Sequence, residues 1–281
     1  MDNQPSNTGA EGVSAAGGVP ETGVTAKPSA PLPFCKKRIV PAKVNRPEAL
    51  RYLGHTGQQA DPELMDRFER NATTCENGSV AFGCWATFAI DQEKSRWLGH
   101  GRKNPQVALK HGPLSSTAPV LTGKSINQHL RGATHVVLMA VTAGLKNESV
   151  LRQLNATSPT DALLYSSCGS SLVEEAADAV NAQIESEATA AGLYCNWRFS
   201  PGYGDLPLEV QPAFLAALDA QRAIGLSLTP TNLLIPTKSV TAIVGLFEAQ
   251  PPVNPPNPCN GCVARMGCPF IEKGTTCHGI E

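Results

Sequence analysis

The chain has no excess of charge of one sign: 23 lysine and arginine residues stand against 24 aspartate and glutamate among 281, a formal net charge of −1. That balance excludes the broad basic field with which proteins hold nucleic acid or an anionic membrane surface, so neither is expected as a partner. Long hydrophobic runs are also missing. The longest, around Val136-Val137-Leu138-Met139-Ala140-Val141, falls far short of the ~20 residues needed to cross a bilayer and reads as a buried strand. Residues 1–34 nearly lack large aliphatic side chains and hold no sustained apolar block like a signal-peptide core. The expected setting is therefore a reducing cytoplasm, which disfavours a disulfide framework among the nine cysteines.

What is present divides the chain in three. Residues 1–34, rich in Gly, Ala, Ser, Thr and Pro, read as a disordered tail that cannot bury enough apolar surface to offset the entropy of ordering it. Residues 35–249 carry the apolar patterning of a domain with a real core. Residues 250–281 begin with the stiff linker Gln250-Pro251-Pro252-Val253-Asn254-Pro255-Pro256-Asn257-Pro258 and end in a tail holding Cys259, Cys262, Cys268 and Cys277. A C-x2-C pair with two further cysteines close behind is a metal-ligand pattern, and Cys268-Pro269 matches the Cys-Pro that ends many iron–sulfur runs. The tail fits an iron–sulfur cluster, a zinc knuckle or loose thiols; His278 is an optional ligand.

Within the main body, Asn45 to Arg70 reads as one or two helices, with Pro47 and Pro62 at first-turn positions. Val80–Ile90, Thr134–Val141 and Ser239–Phe247 are strand-like. Ser125–Leu130 reads as a helix on a serine cap. Leu172, Ala176, Val180 and Ile184 form an i, i+4 stripe, capped by Ser170 or Ser171 and ended by Gly192. Pro212–Ala223 reads as one more amphipathic helix. Segregated helices without regular βαβ alternation predict an α+β fold with a largely antiparallel sheet.

Chemistry concentrates in Arg198-Phe199-Ser200-Pro201-Gly202-Tyr203-Gly204-Asp205. Pro201-Gly202 sets a tight turn, proline fixing one φ and glycine free to take the positive one, which would leave backbone N–H groups open. Arg198 offers a planar fork suited to a carboxylate or phosphate, and Tyr203 an apolar face with a hydroxyl. Read alone, the loop fits either a grip on a small polar ligand or a connecting turn whose arginine pairs with a nearby acid. Asp205 and Lys238, charged residues beside turns, read as solvated.

Together with Gln211, the stripe Phe214, Leu215 and Leu218, the segment Ile224–Thr229 and the segment Pro236–Gly245, this loop resembles the activation (reactivation) domain of cobalamin-dependent methionine synthase in its stand-alone, separate-subunit form. The resemblance covers about residues 45 to 247 and is strongest from Leu172 to Leu246. It implies an α+β activation-domain fold with helices packed around a mixed or antiparallel sheet. It also implies an S-adenosylmethionine groove lined by Arg198, Ser200, Gly202 and Tyr203, joined by Glu174 from the preceding helix; Glu175, one helical step away, would face elsewhere. The implied partners are a cobalamin-dependent methionine synthase, or a related corrinoid protein, carrying the cobalamin, and an electron donor. The implied event is methyl transfer from S-adenosylmethionine to that partner's cobalamin, in methionine biosynthesis. No tyrosine follows Tyr203, so a later tyrosine that some family members place in the groove is missing, and no upstream acid is matched to the family's N-terminal contact.

The glycine-rich loop of Rossmann methyltransferases and the C-x3-C-x2-C triplet of radical S-adenosylmethionine enzymes are both absent. Asn127-Gln128-His129-Leu130-Arg131-Gly132 only superficially matches the D-x-H-x-x-G run of cobalamin carriers, lacking the aspartate that orients the imidazole, so His129 reads as a helix-surface residue. A rival reading makes the cysteine tail the working part, as an iron–sulfur or zinc electron-transfer module serving a corrinoid protein, and the 198–205 loop merely structural.

Overall fold

Runs of β-branched and small apolar residues become the central strands of one antiparallel sheet, because a strand covered on both faces needs apolar side chains at every position rather than at alternate ones. The computed structural model describes residues 30–55, 59–98, 104–114 and 118–251. Their elements are, in order, β1 (Phe34–Val40), α1 (Arg46–Tyr52), α2 (Pro62–Gly78), β2 (Ala81–Ala89), β3 (Gln106–Ala108), β4 (Val120–Thr122), α3 (Lys124–His129), β5 (His135–Thr142), α4 (Gly144–Thr157), α5 (Pro159–Ala190), β6 (Tyr194–Cys195), a 3-10 turn (Leu208–Val210), α6 (Gln211–Leu218), α7 (Ala220–Ile224), β7 (Ser227–Leu228), β8 (Leu234–Ile235) and β9 (Ser239–Phe247). The main sheet has the order β1-β2-β5-β9-β6, with every neighbouring pair antiparallel. The α+β expectation holds.

The sheet separates two apolar cores. Val137, Met139 and Val141 of β5 point with Trp85, Ala242 and Val244 toward α5, α1 and α2; Val136, Leu138 and Ala140 point with Phe88 and Ile243 toward α6, α7 and the β3–β4 hairpin. Alternate residues of one strand thus feed opposite cores, each fully buried Val or Leu contributing about 1.5–3 kcal/mol of transfer free energy.

The largest departure from the sequence reading is α5. It is capped not by Ser170 or Ser171 but by Ser158, whose hydroxyl accepts from the Asp161 amide and donates to the Asp161 carboxylate at 2.6 Å. The two serines that looked like a helix start have other partners: Ser170 accepts from the Lys238 ammonium at 2.8 Å, and Ser171 exchanges hydrogen bonds with the backbone of Asn45. Gly192 does follow the helix, at φ +77°. The 212–223 helix is two helices, broken at Asp219 in the left-handed region with φ +50°, a conformation aspartate tolerates better than most residues. β1 and α4 were not foreseen. Ala30 and Leu32, placed in the tail by the sequence reading, lie against the α5-side core, so the packed body reaches upstream of residue 35. Residues 1–29 and the cysteines at 259, 262, 268 and 277 lie outside the described residues. No described helix is long and apolar enough to cross a membrane.

Candidate functional site

Between Leu164 and Ala177, α5 is buried at every residue except Ser166, Ser170, Glu174 and Glu175. Three of these, Ser166, Ser170 and Glu174, fall four residues apart and share one helix face, which Asp178, exposed, continues. Over this face lies the segment that follows β6. Phe199 pairs with Ile243 of β9 through two backbone hydrogen bonds, at 2.9 and 2.8 Å. Asn196, itself buried, reinforces this attachment: its side chain accepts from the Gly245 amide at 2.7 Å and donates to the His129 carbonyl at 2.8 Å. Arg198 is thereby held over α5.

Its guanidinium meets the helix as an arginine fork between two acids. Nη2 lies 2.6 Å from Asp178 Oδ1 and 3.5 Å from Glu174 Oε2, while Nη1 is buried with no hydrogen-bond partner among the described residues. The structure therefore brings Arg198 and Glu174 together, as expected, in the middle of α5 rather than at a helix start, and adds Asp178. Glu175 faces elsewhere and accepts from the Asn45 side chain at 3.0 Å. Burial raises the Glu174 carboxyl above its ordinary pKa; Arg198 opposes this and the charge of Asp178 adds to it. Asp178 is raised in the same way, by burial against the pull of Arg198, with Glu175 and Glu48 contributing. Two acids share one guanidinium, leaving the trio one negative charge in excess.

Glu48 on α1, an acid the sequence reading did not single out, adds its charge to the electrostatics of both carboxyls. It accepts from the Tyr52 hydroxyl at 2.7 Å and from Arg51 at 2.9 Å. Burial, then Glu48, holds the Tyr52 phenol well above its usual pKa. The available signal was the Asn-Arg-Pro-Glu run itself, where Asn45 caps α1 by accepting from the Glu48 amide and so places that acid in the first turn.

The loop beyond Arg198 folds as the type of turn its sequence predicts. The Tyr203 amide donates to the Ser200 carbonyl at 3.0 Å across Pro201-Gly202, with Gly202 at φ +92°, the positive angle a type II turn requires. One expectation fails: the Gly202 and Tyr203 amides are not open to a ligand, because Gly202 donates to the Leu206 carbonyl at 2.8 Å and Tyr203 closes the turn. Gly202 therefore shapes the loop, and Ser200 enters the turn through its carbonyl. The Tyr203 ring is half exposed and stands edge-on to Phe199, ring centres 6.3 Å apart.

Asp205 and Lys238 are not the solvated charges expected. Asp205 accepts from the Lys124 and Ser125 amides at 2.6 and 2.8 Å, so it, and not Ser125, caps α3, while Gly123 fills the cap position without a side-chain bond. Burial pushes the Asp205 carboxyl up, but the Ser125 and Lys124 amides and the Ser125 hydroxyl outweigh it and hold it below the usual range. Asp205→Ala should cost about 1 kcal/mol, as loss of a helix cap does, lowering Tm by about 2–4 °C and loosening the loop. Scanning calorimetry checks this, and an unchanged Tm would show that the loop is held by other means.

His129 is buried rather than on the helix surface. Its ring lies 4.9 Å from Trp197 and 5.0 Å from Phe199, centre to centre, and among the described residues neither nitrogen has a well-formed hydrogen bond. Burial, partly opposed by the backbone near Ile243 and Trp197, brings its pKa down to about 4. It is a neutral ring packed behind the site. Among the described residues no group of three or more His, Cys, Asp or Glu side chains is placed to hold a metal ion.

No family model matches the chain, and no curated protein does. Among solved structures, the crystal structure of the MetH reactivation domain bound to AdoHcy is similar over 90% of this chain and 89% of that one, with a TM-score of 0.54 and 14% identity. At that level of likeness, with its helices and curled antiparallel sheet, the chain has the fold of the MetH reactivation domain.

Proposed function

We propose that this chain binds S-adenosylmethionine in the groove between α5 and the 198–205 loop and presents it to the cobalamin of a methionine synthase. The observation that carries this reading is the Arg198–Glu174–Asp178 cluster, in which two acids share one guanidinium and the buried Nη1 has no partner among the described residues. These residues fit the ligand's charges. A carboxylate would satisfy Nη1 as a planar fork does best, and the surplus negative charge suits an ammonium or sulfonium. The AdoHcy held by the similar fold is consistent with a nucleoside of this class. Arg198, Glu174 and Tyr203 are the proposed contacts; Ser200 and Gly202 set the turn that carries Tyr203.

S-adenosylmethionine supplies an electrophilic methyl group, for which the partner's cobalamin, reduced by an external one-electron donor, is the acceptor. This chain's task is positioning, which converts an encounter into an effectively intramolecular step; no general base is needed. The test adds purified chain, S-adenosylmethionine and a chemical reductant to an inactive methionine synthase deleted of its own activation domain. Recovery of activity that needs all three additions is the expected result, and activity that stays flat would defeat the proposal.

The four-cysteine segment supports a second reading, resting on its spacing alone: that Cys259, Cys262, Cys268 and Cys277 hold zinc or an iron–sulfur cluster serving the same partner. Metal analysis and visible absorption after anaerobic purification test it. Stoichiometric metal lost in a Cys259→Ser, Cys262→Ser variant is expected, and metal-free wild-type protein would end it.

A further inference from the structure

We propose that Lys238, Ser166 and Ser170 form a subsite for a small oxyanion, carboxylate or phosphate, at the end of the α5 face opposite Arg198. The Lys238 ammonium donates to Ser166 Oγ at 2.9 Å and to Ser170 Oγ at 2.8 Å. An ammonium has three N–H donors, so one stays uncommitted. Each serine hydroxyl, having accepted from the lysine, keeps its own proton to give, and among the described residues neither has an acceptor. Three polar protons with no recipient therefore cluster around one positive charge.

The charge has no direct ion-pair partner among the described residues. Glu148 on α4 and Cys75 on α2 are the titratable groups that act on Lys238. Glu148 is engaged elsewhere: it accepts from the Thr237 amide at 2.8 Å and the Thr237 hydroxyl at 2.7 Å and lies 3.8 Å from Arg152. The Cys75 thiol is held neutral, raised above its ordinary pKa by burial. No carboxylate of the described residues lies within salt-bridge distance of Lys238 Nζ. Gly169 completes the fit, since a Cβ there would come within 3.2 Å of Lys238 Cγ and of Asn147 Oδ1; its absence lets the lysine stem lie flat on the helix.

Ser166 and Ser170 belong to the accessible line on α5 that runs on to Glu174 and Asp178. From the midpoint of the serine pair to that of the acidic pair the helix rises about 12 Å, at 1.5 Å per residue. The subsite is thus a separate anchor reached from the same groove, and it stands whether or not the Arg198 end holds S-adenosylmethionine.

The experiment follows acylation of lysines by an amine-reactive ester, residue by residue, using peptide mass spectrometry on the full chain. Exposed Lys94 serves as internal control. Inorganic phosphate, acetate and S-adenosylmethionine are titrated separately. Saturable slowing at Lys238, about tenfold at ten times the dissociation constant, is expected from at least one of them with none at Lys94. Protection should weaken by a similar factor in Ser166→Ala, Ser170→Ala, whose fold is checked by circular dichroism. Protection by phosphate or acetate that persists in Arg198→Ala identifies a separate anion; protection by S-adenosylmethionine alone, lost in Arg198→Ala, shows only that a ligand held at the Arg198 end covers Lys238, and overturns the separate subsite. Lys238 that is slowed by none of the three in wild type, or no more than Lys94, overturns the proposal without reference to any variant.

Discussion

Arg198→Ala is expected to weaken S-adenosylmethionine binding by about 10- to 100-fold, because a hydrogen bond to a charged group contributes about 1.5–3 kcal/mol. The protein itself should lose little stability, at most about 1 kcal/mol for partly exposed ion pairs. That contrast separates a ligand-binding arginine from a structural one, and isothermal calorimetry alongside a thermal melt measures both. Arg198→Lys should recover only part of the affinity, since an ammonium cannot reproduce the planar fork. The pH dependence carries a definite sign. Burial raises the Glu174 and Asp178 carboxyls, and a cationic ligand would favour their ionised forms. Binding then releases protons, so affinity should rise with pH through the range in which these groups ionise and level off above it. Equal affinity in wild type and Arg198→Ala would remove the site assignment.

A second large effect is expected at His129, in protein stability rather than binding. The folded state keeps this imidazole neutral, with a pKa of about 4, whereas an unfolded chain protonates it near pH 6.5. A base with its folded pKa depressed contributes stability above the unfolded value and loses it as pH falls toward the folded one. Between pH 7 and pH 4.5 this group should cost the wild type about 2 kcal/mol. His129→Leu, which keeps an apolar side chain between Trp197 and Phe199, should remove that much of the slope in urea denaturation at the two pH values. His135, also lowered by burial, keeps its own contribution in both proteins, so the difference isolates His129. Parallel pH profiles would show that His129 is charged or solvated in the folded state.

Much of the fold was legible because its strongest signals are local. Val136 to Val141 could only be a doubly covered strand, and Pro47 and Pro62 sit in the first turns of α1 and α2 as their fixed φ predicts. The type II turn at Pro201-Gly202 was readable for the same reason. What escaped is non-local. Ser170 and Ser171 looked like a helix start because serine hydroxyls compete with the helix for backbone hydrogen bonds; partners far away in sequence, Lys238 and Asn45, engage those hydroxyls and α5 runs through. Asp178 was invisible until the helix phase set it one turn beyond Glu174, opposite Arg198. Asp205, Lys238 and His129 were read as surface groups because a single sequence does not show which backbone amides, hydroxyls or rings the fold will carry to them.

β9 fixes the spacing between Lys238 and Arg198. It pairs with β5 residue by residue from Ser239↔Thr142 to Leu246↔His135, without a bulge. Lys238 sits just before its first residue, and Arg198 is strapped to it by the Phe199↔Ile243 bridge. The interval between the two cations is therefore graduated along a hydrogen-bonded ladder, five residues or about 17 Å of strand, and not along a loop that can stretch. A single inserted residue would swing every later side chain to the opposite face, so a ligand that met both cations would have to match a spacing fixed by the sheet.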